Sequence, residues 1–239
     1  CEQGSDGATR TVQMTATGLQ LVVGPQQLPT GYTRLTGIAS SGTQWIDTET
    51  ETRELSSVDL RFSNSVYVNG TAFFGQDAWT NNCCLLDQQS GLLYFHGNAV
   101  PIGAVPTSDQ HCRVVVGADG FVHVTRGETT AAYAVYNAFS GTDRTLNLFA
   151  VKGGAHVAAY TLEECRIATD GTLQRDFVPC RNPQGEVGLW DFVEGKFFAN
   201  QGTGKFVDAG TDVSARLDYI EPTAAQFIDT LYTHTETTK

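Results

Sequence analysis

Turn-forming pairs punctuate this chain about every ten residues, and no stretch between them holds a helical period for longer than about ten residues. Asn69-Gly70 is the strongest of these signals. With VYV before it and TAFF after it, it predicts a two-residue hairpin. Gln88–Gly91, Gly117–Gly120, Asp170-Gly171 and Val193–Lys196 are further returns. The segments between them read as strands: Leu55–Phe62, Ser65–Asn69, Cys84–Asp87, Leu92–Phe95, Arg113–Val116, Phe121–Thr125, Ala131–Tyr136, Thr145–Ala150 and Ala155–Glu163. Thr11–Val23 reads as one or two short strands broken at Gly18, and His96–Gln110, with two prolines, as a long loop. Crossover helices are missing, which excludes a parallel α/β sheet. Many short strands at this spacing predict an all-β sandwich or barrel. The 25 glycines and the single methionine agree with strands and turns.

One segment is stated twice. Tyr32–Thr48, YTRLTGIASSGTQWIDT, reads as an opening strand pair turning at Ser40-Ser41-Gly42. Trp45 and Asp47 fall on one face, Gln44 and Ile46 on the other. Ala215–Thr230, ARLDYIEPTAAQFIDT, matches Thr33–Thr48 without a gap at a single offset of 182 positions. It keeps Arg34/Arg216, Leu35/Leu217, Ile38/Ile220, Gln44/Gln226, Ile46/Ile228, Asp47/Asp229 and Thr48/Thr230, and Trp45 becomes Phe227. A repeat at this scale divides the chain. Residues 1–28 form an N-terminal extension or the end of a preceding module, 29–211 the main domain, and 212–239 a partial repeat. Such a lone opening pair carries an apolar row, Leu217, Ile220, Phe227 and Ile228, with unpaired ladder donors. The expectation is assembly, either as the start of a next module or by strand addition to a neighbouring subunit.

Charge narrows the partners. The chain of 239 residues carries a net −11 and no run of Lys or Arg. That argues against nucleic acid and anionic membranes, and no stretch has the apolar length of a membrane span. The first residue is Cys1, which is consistent with a processed chain or a piece of a longer one; a lipidated cysteine is the alternative. The six cysteines lack the paired spacing of a zinc site. A two-residue turn at Asp170-Gly171 sets Cys165 opposite Asp176 and Cys180 opposite Thr161, leaving the sulfurs ~13 Å apart along the strands. Buried free thiols are expected.

Cys165–Phe206 holds three further segments: RDFVPC, GEVGLWD and GKFFANQGTGKF. Together with LPTGYTRLTGIASSGTQWIDT they resemble a concanavalin A-like, laminin-G-like module of gut bacterial surface proteins and of phage tail or virion proteins. The resemblance covers about Leu28–Gly210 and implies a two-sheet antiparallel β-sandwich of jelly-roll order. It also implies that the closing segments lie beside Gln44–Thr48. The chain departs from the pattern at Glu49, where the family tends to have glycine.

The same fold hosts glycoside hydrolases, whose paired carboxylates follow an E-x-D-x-x-E pattern. Glu49–Glu54, ETETRE, lacks its central Asp, although Asp47, Glu49 and Glu51 share one strand face by spacing. No catalytic residue is assigned, and the five histidines sit in no motif. No cofactor is expected, Ca²⁺ being the one that the fold allows; Asp77, Asn81, Asn82, Asp87 and Asp109 supply loop oxygens without EF-hand spacing. Glycan recognition needs an exposed aromatic flanked by planar polar groups. Trp79, with Gln76, Asp77, Asn81 and Asn82 around it and Tyr94 and His96 on the next strand and loop, fits that description. Trp45 and Trp190 are expected in the core. The expectation is therefore a non-catalytic extracellular module on a virion or a bacterial surface. It would build a repeated appendage, associate with itself or neighbouring modules, and bind a glycan or host receptor.

Overall fold

The structure, a computed structural model, describes residues 2–3, 9–15, 18–23, 26–53, 55–76, 85–95, 100–106, 110–117, 119–135, 143–151 and 153–211. Among these there are strands and no helix. In chain order the strands are β1 (Glu2–Gln3), β2 (Thr9–Thr15), β3 (Gly18–Val23), β4 (Thr33–Arg34), β5 (Ile38–Ala39), β6 (Ile46–Glu51) and β7 (Leu55–Val66). Then come β8 (Ala72–Gly75), β9 (Leu85–Gln89), β10 (Leu92–Phe95), β11 (Val100–Ala104), β12 (Cys112–Val116), β13 (Phe121–Arg126) and β14 (Thr129–Ala134). The last are β15 (Thr145–Leu148), β16 (Ala159–Thr169), β17 (Thr172–Arg181), β18 (Val187–Asp191), β19 (Lys196–Phe198) and β20 (Val207–Asp208).

β1, β2 and β3 form a small sheet of their own. The rest make two antiparallel sheets. The smaller runs β11-β10-β9-β8-β15-β6; the larger runs β14-β13-β12-β7-β16-β17-β18-β19, with β4 paired to β17, β5 to β16, and β20 to β5. Alternation drives the pairing of the two. Val58, Leu60 and Phe62 of β7, Val114 and Val116 of β12, and Cys165 and Ile167 of β16 are all fully buried, while their neighbours Asp59, Arg61, Arg113 and Arg166 face outward. Phe73, Phe74, Leu86, Leu93 and Leu148 supply the facing layer. At the centre Phe62, Phe73, Phe149 and Tyr160 pack ring on ring, with centroids 4.3–5.7 Å apart. The all-β antiparallel two-sheet sandwich is thus the observed fold.

The opening and closing segments do meet. Gln44, almost fully buried, accepts from the Ser41 amide at 2.8 Å and donates to the Thr203 carbonyl. The Trp45 amide donates to Asn200 Oδ1, the Gln201 amide to the Trp45 carbonyl, and the Thr203 amide to the Thr43 carbonyl. Gly202 lies so close that a β-carbon would overlap the Thr43 carbonyl oxygen. One level further on, Arg175 donates Nε to the Thr48 carbonyl at 2.8 Å and pairs with Glu194 at 2.7 Å and Asp191 at 3.6 Å. Asp191 has no exposed surface and accepts the amides of Asp176, Val193 and Glu194. RDFVPC, GLWD and N-x-GTG therefore interlock with SSGTQWIDT through buried polar groups.

Several local expectations are corrected. The Asn69-Gly70 turn closes no hairpin: β7 belongs to the larger sheet and β8 to the smaller, and the turn carries the chain between them. The opening strand pair is likewise split, because β5 lies in the larger sheet and β6 in the smaller, and Gln44 holds the crossing. Leu55–Val66 is one twelve-residue strand in place of the two expected over 55–69, with Asn64 at φ 48° within it. The 96–110 loop contains β11. Cys165 lies opposite Phe177, not Asp176, since a bulge between Ile167 and Ala168 shifts the register by one. Cys165 and Cys180 are free and buried as expected, and Cys112 is too. Trp45 packs against the core, but Trp190 lies on the outer face of β18 with its ring edge-on to Tyr32 at 4.9 Å.

Candidate functional site

A groove crosses the outer face of the larger sheet. Two adjoining clefts of about 430 and 320 Å³ share Arg61, His111 and Glu164. Arg34, Thr36, Asn64 and Thr161 line one end, and Arg113 and Thr125 the other. The groove exists because β7 and β16 pair irregularly. Their register slips between Ala159 and Thr161 and again between Leu162 and Glu164. A regular strand would send Glu163 and Glu164 to opposite faces. The second slip turns both outward onto Arg61: Nε lies 3.0 Å from Glu163 and Nη1 3.5 Å from Glu164. His111 Nδ1 lies 2.7 Å from the other oxygen of Glu163. Gly37 lets β5 approach β16 here, since a β-carbon would sit 2.6 Å from the Thr161 methyl.

Around this cluster the face carries further ion pairs. Arg113 grips Asp59 through Nε and Nη2, and the hydrogen bond holds its guanidinium above the usual arginine range. Arg166 pairs with Asp176 at 3.0 Å. At the edge of the sheet His123 bonds Asp119 at 2.8 Å, which holds that carboxyl below the usual range. The three described thiols are not nucleophiles. Burial pushes Cys112 and Cys165 up and Cys180 to about 12, so each stays protonated at neutral pH. Chemically the groove offers fixed guanidinium donors, carboxylate acceptors, an imidazole and hydroxyls. That set suits a hydroxyl-rich or polar ligand lying across strands.

Of the residues singled out from sequence, those that the structure describes lie elsewhere. Gln76, which comes directly after β8, is buried and accepts from the Thr52 hydroxyl. Tyr94 is half-buried on β10 opposite Asp87, itself buried. Asp77, Trp79, Asn81, Asn82, His96 and Asp109 lie outside the described residues, as do Leu217, Ile220, Phe227 and Ile228. The chain leaves at Gln76 and Phe95 and returns at Leu85 and Val100, all at one end of the smaller sheet. Asp47, Glu49 and Glu51 alternate along β6 with buried Ile46, Thr48 and Thr50, as their spacing requires, but the ladder beside them is irregular. Thr145 pairs Glu51 while Asn147 pairs Asp47, so β6 carries two extra residues there, and Glu49 (φ 56°) bonds Lys196. Among the described residues, no group of three His, Cys, Asp or Glu is placed to hold a metal ion, and no helix is long and apolar enough to cross a membrane.

The groove residues had a trace in the sequence. Tyr160 and Leu162 point inward, then Cys165 and Ile167; the phase slips at Glu163-Glu164, which is how a bulge looks in a strand. Fold and groove together define an antiparallel β-sandwich with an open, charged groove on its larger sheet. The chain matches no protein-family model, no curated protein and no solved structure.

Proposed function

We propose that this chain is a non-catalytic extracellular module of a phage virion or tail fibre, or of a bacterial surface protein, that binds a glycan or host receptor and helps build a repeated appendage. The observation that carries the binding half is the irregular register of the β7–β16 pair around Glu163 and Glu164. It places Arg61, Glu163, Glu164 and His111 together in an open groove, and bulges at such positions re-aim side chains for function. The building half rests on the repeat. Of the residues that the two copies share, Leu35, Ile38, Gln44, Ile46 and Thr48 are buried in the first copy. The second copy thus retains five core-forming positions, beside the half-buried Arg34 and Asp47. The jelly-roll order of connections and the likeness to concanavalin A-like modules belong to the same proposal.

Glycan-array binding of the full chain tests it, with Arg61→Ala reporting on the groove and Trp79→Ala on the loop. Binding lost in either variant, with the fold retained, supports the reading and tells the sites apart. No binding across bacterial and host glycans rejects the glycan half. Release of reducing ends from bound oligosaccharides would reject the non-catalytic half.

A further inference from the structure

Sheet edges expose unpaired backbone groups, and proteins ordinarily blunt them. Among the described residues, three of the four strands that end the main paths of the two sheets are blunted. β11 carries Pro101, which has no N–H. β19 is only three residues long and begins with Lys196. β6 is covered by Arg175, which donates to the Thr48 and Glu49 carbonyls, and by the Gln201 amide on the Trp45 carbonyl. β14, Thr129–Ala134, has none of these devices. Its sequence TTAAYA holds no charge and no proline, and every residue but Tyr133 is exposed.

The direction of its free groups comes from the ladder. The Val135 amide donates to the Gly120 carbonyl at 2.7 Å, so Val135, Tyr133, Ala131 and Thr129 aim their backbone groups at β13. The close Thr125–Thr130 hydroxyl contact at 2.9 Å agrees, since such contacts form at the non-hydrogen-bonded pairs. Thr130, Ala132 and Ala134 therefore aim N–H and C=O away from the sheet, and among the described residues nothing takes them.

We propose that β14 pairs antiparallel with β14 of a second copy, about a two-fold axis at Ala132. Only a register that opposes outward residues makes bonds. Centred on Ala132, it sets Thr130 opposite Ala134 of the partner subunit and Ala132 opposite Ala132 of the partner subunit, and each pair exchanges its backbone bonds. On the inner face the register sets Tyr133, which packs against its own core, opposite Ala131 of the partner subunit. A chain of net charge −11 repels its own copies in general, but this strand brings no charge to the contact. A second copy supplies the matching register and the small side chains by symmetry. The contact is closed, so it makes dimers and not fibres. It rests on strand geometry alone and stands apart from the glycan reading.

Sedimentation of the full chain over a concentration series tests it. The wild type is expected in monomer–dimer equilibrium. Ala132→Pro removes an outward N–H without breaking the β13 ladder. It should lower the association constant about tenfold or more while leaving the melting curve in place. Ala134→Lys, an exposed outer-face change, should do the same and decides the matter if the proline variant does not fold. A wild type that stays monomeric throughout overturns the proposal. So does self-association that persists undiminished in both variants, as it would if it ran through residues 212–239.

Discussion

Replacing Arg175 by methionine separates an architectural reading of the RDFVPC motif from a functional one. The side chain is only 5% exposed. It bonds the Thr48, Gln174 and Glu49 carbonyls at 2.8, 3.0 and 3.4 Å and pairs with Glu194 and the buried Asp191. Methionine keeps much of the volume over Phe198 but removes every donor and the charge. Breaking a buried pair costs ~3–5 kcal/mol because the remaining charge stays uncompensated. Here the three amides on Asp191 still hold it, which places the loss at about 3–4 kcal/mol. For a domain of this size that lowers Tm by about 6–16 °C. Urea unfolding followed by tryptophan fluorescence reads it directly. Arg175→Lys restores the charge but not the planar fork, so it should recover only part of the loss. A loss below about 1 kcal/mol in the methionine variant would refute the interlock, since that is the range of a solvated surface pair.

Alkaline stability should track the buried thiols. Burial raises Cys180 from 9.0 to about 12, and Cys112 and Cys165 move the same way. The folded state therefore holds these protons longer than the unfolded chain. Their stabilisation is complete below about pH 9 and is lost as pH rises toward 12, with Cys180 alone accounting for about 2 kcal/mol by about pH 10.5. Melting curves between neutral and high pH check this, and Cys180→Ala should make the fall shallower; an unchanged slope counts against burial as the cause. Gly202→Ala forces a β-carbon onto the Thr43 carbonyl, so it should cost ~1–3 kcal/mol in denaturant unfolding. Tyr160→Phe should cost only ~0.5–1.5 kcal/mol: its hydroxyl donates to the Phe73 carbonyl, which the Phe149 amide also satisfies.

Much of the fold was legible because strands and turns are local. Asp170-Gly171 joins β16 to β17 with Thr169 opposite Thr172, and Ser90-Gly91 joins β9 to β10, as the turn residues require. That Cys165 and Cys180 are not bonded to each other was readable from turn geometry even though the register was off by one. The interlock of opening and closing segments came from a resemblance between motifs, not from any single residue. The groove was hardly legible. Arg61, His111 and Glu163 lie about 50 or more positions apart, and their meeting depends on two register slips between β7 and β16. Asn69-Gly70 misled for the opposite reason: the turn is real, but β8 beyond it joins the other sheet.

By itself the sequence determined that this chain would be all strands, where most of them would turn, and that Cys165 and Cys180 would not bond to each other. Period-two alternation and turn chemistry act over a few neighbouring residues, so they survive without tertiary context. Only the tertiary structure decided which sheet each strand joined, where Gln44 and Arg175 lock the ends, which edge has no partner among the described residues, and how a bulge gathers a charged groove. Those features depend on register between segments far apart in the chain. A slip of one residue there exchanges inward for outward side chains.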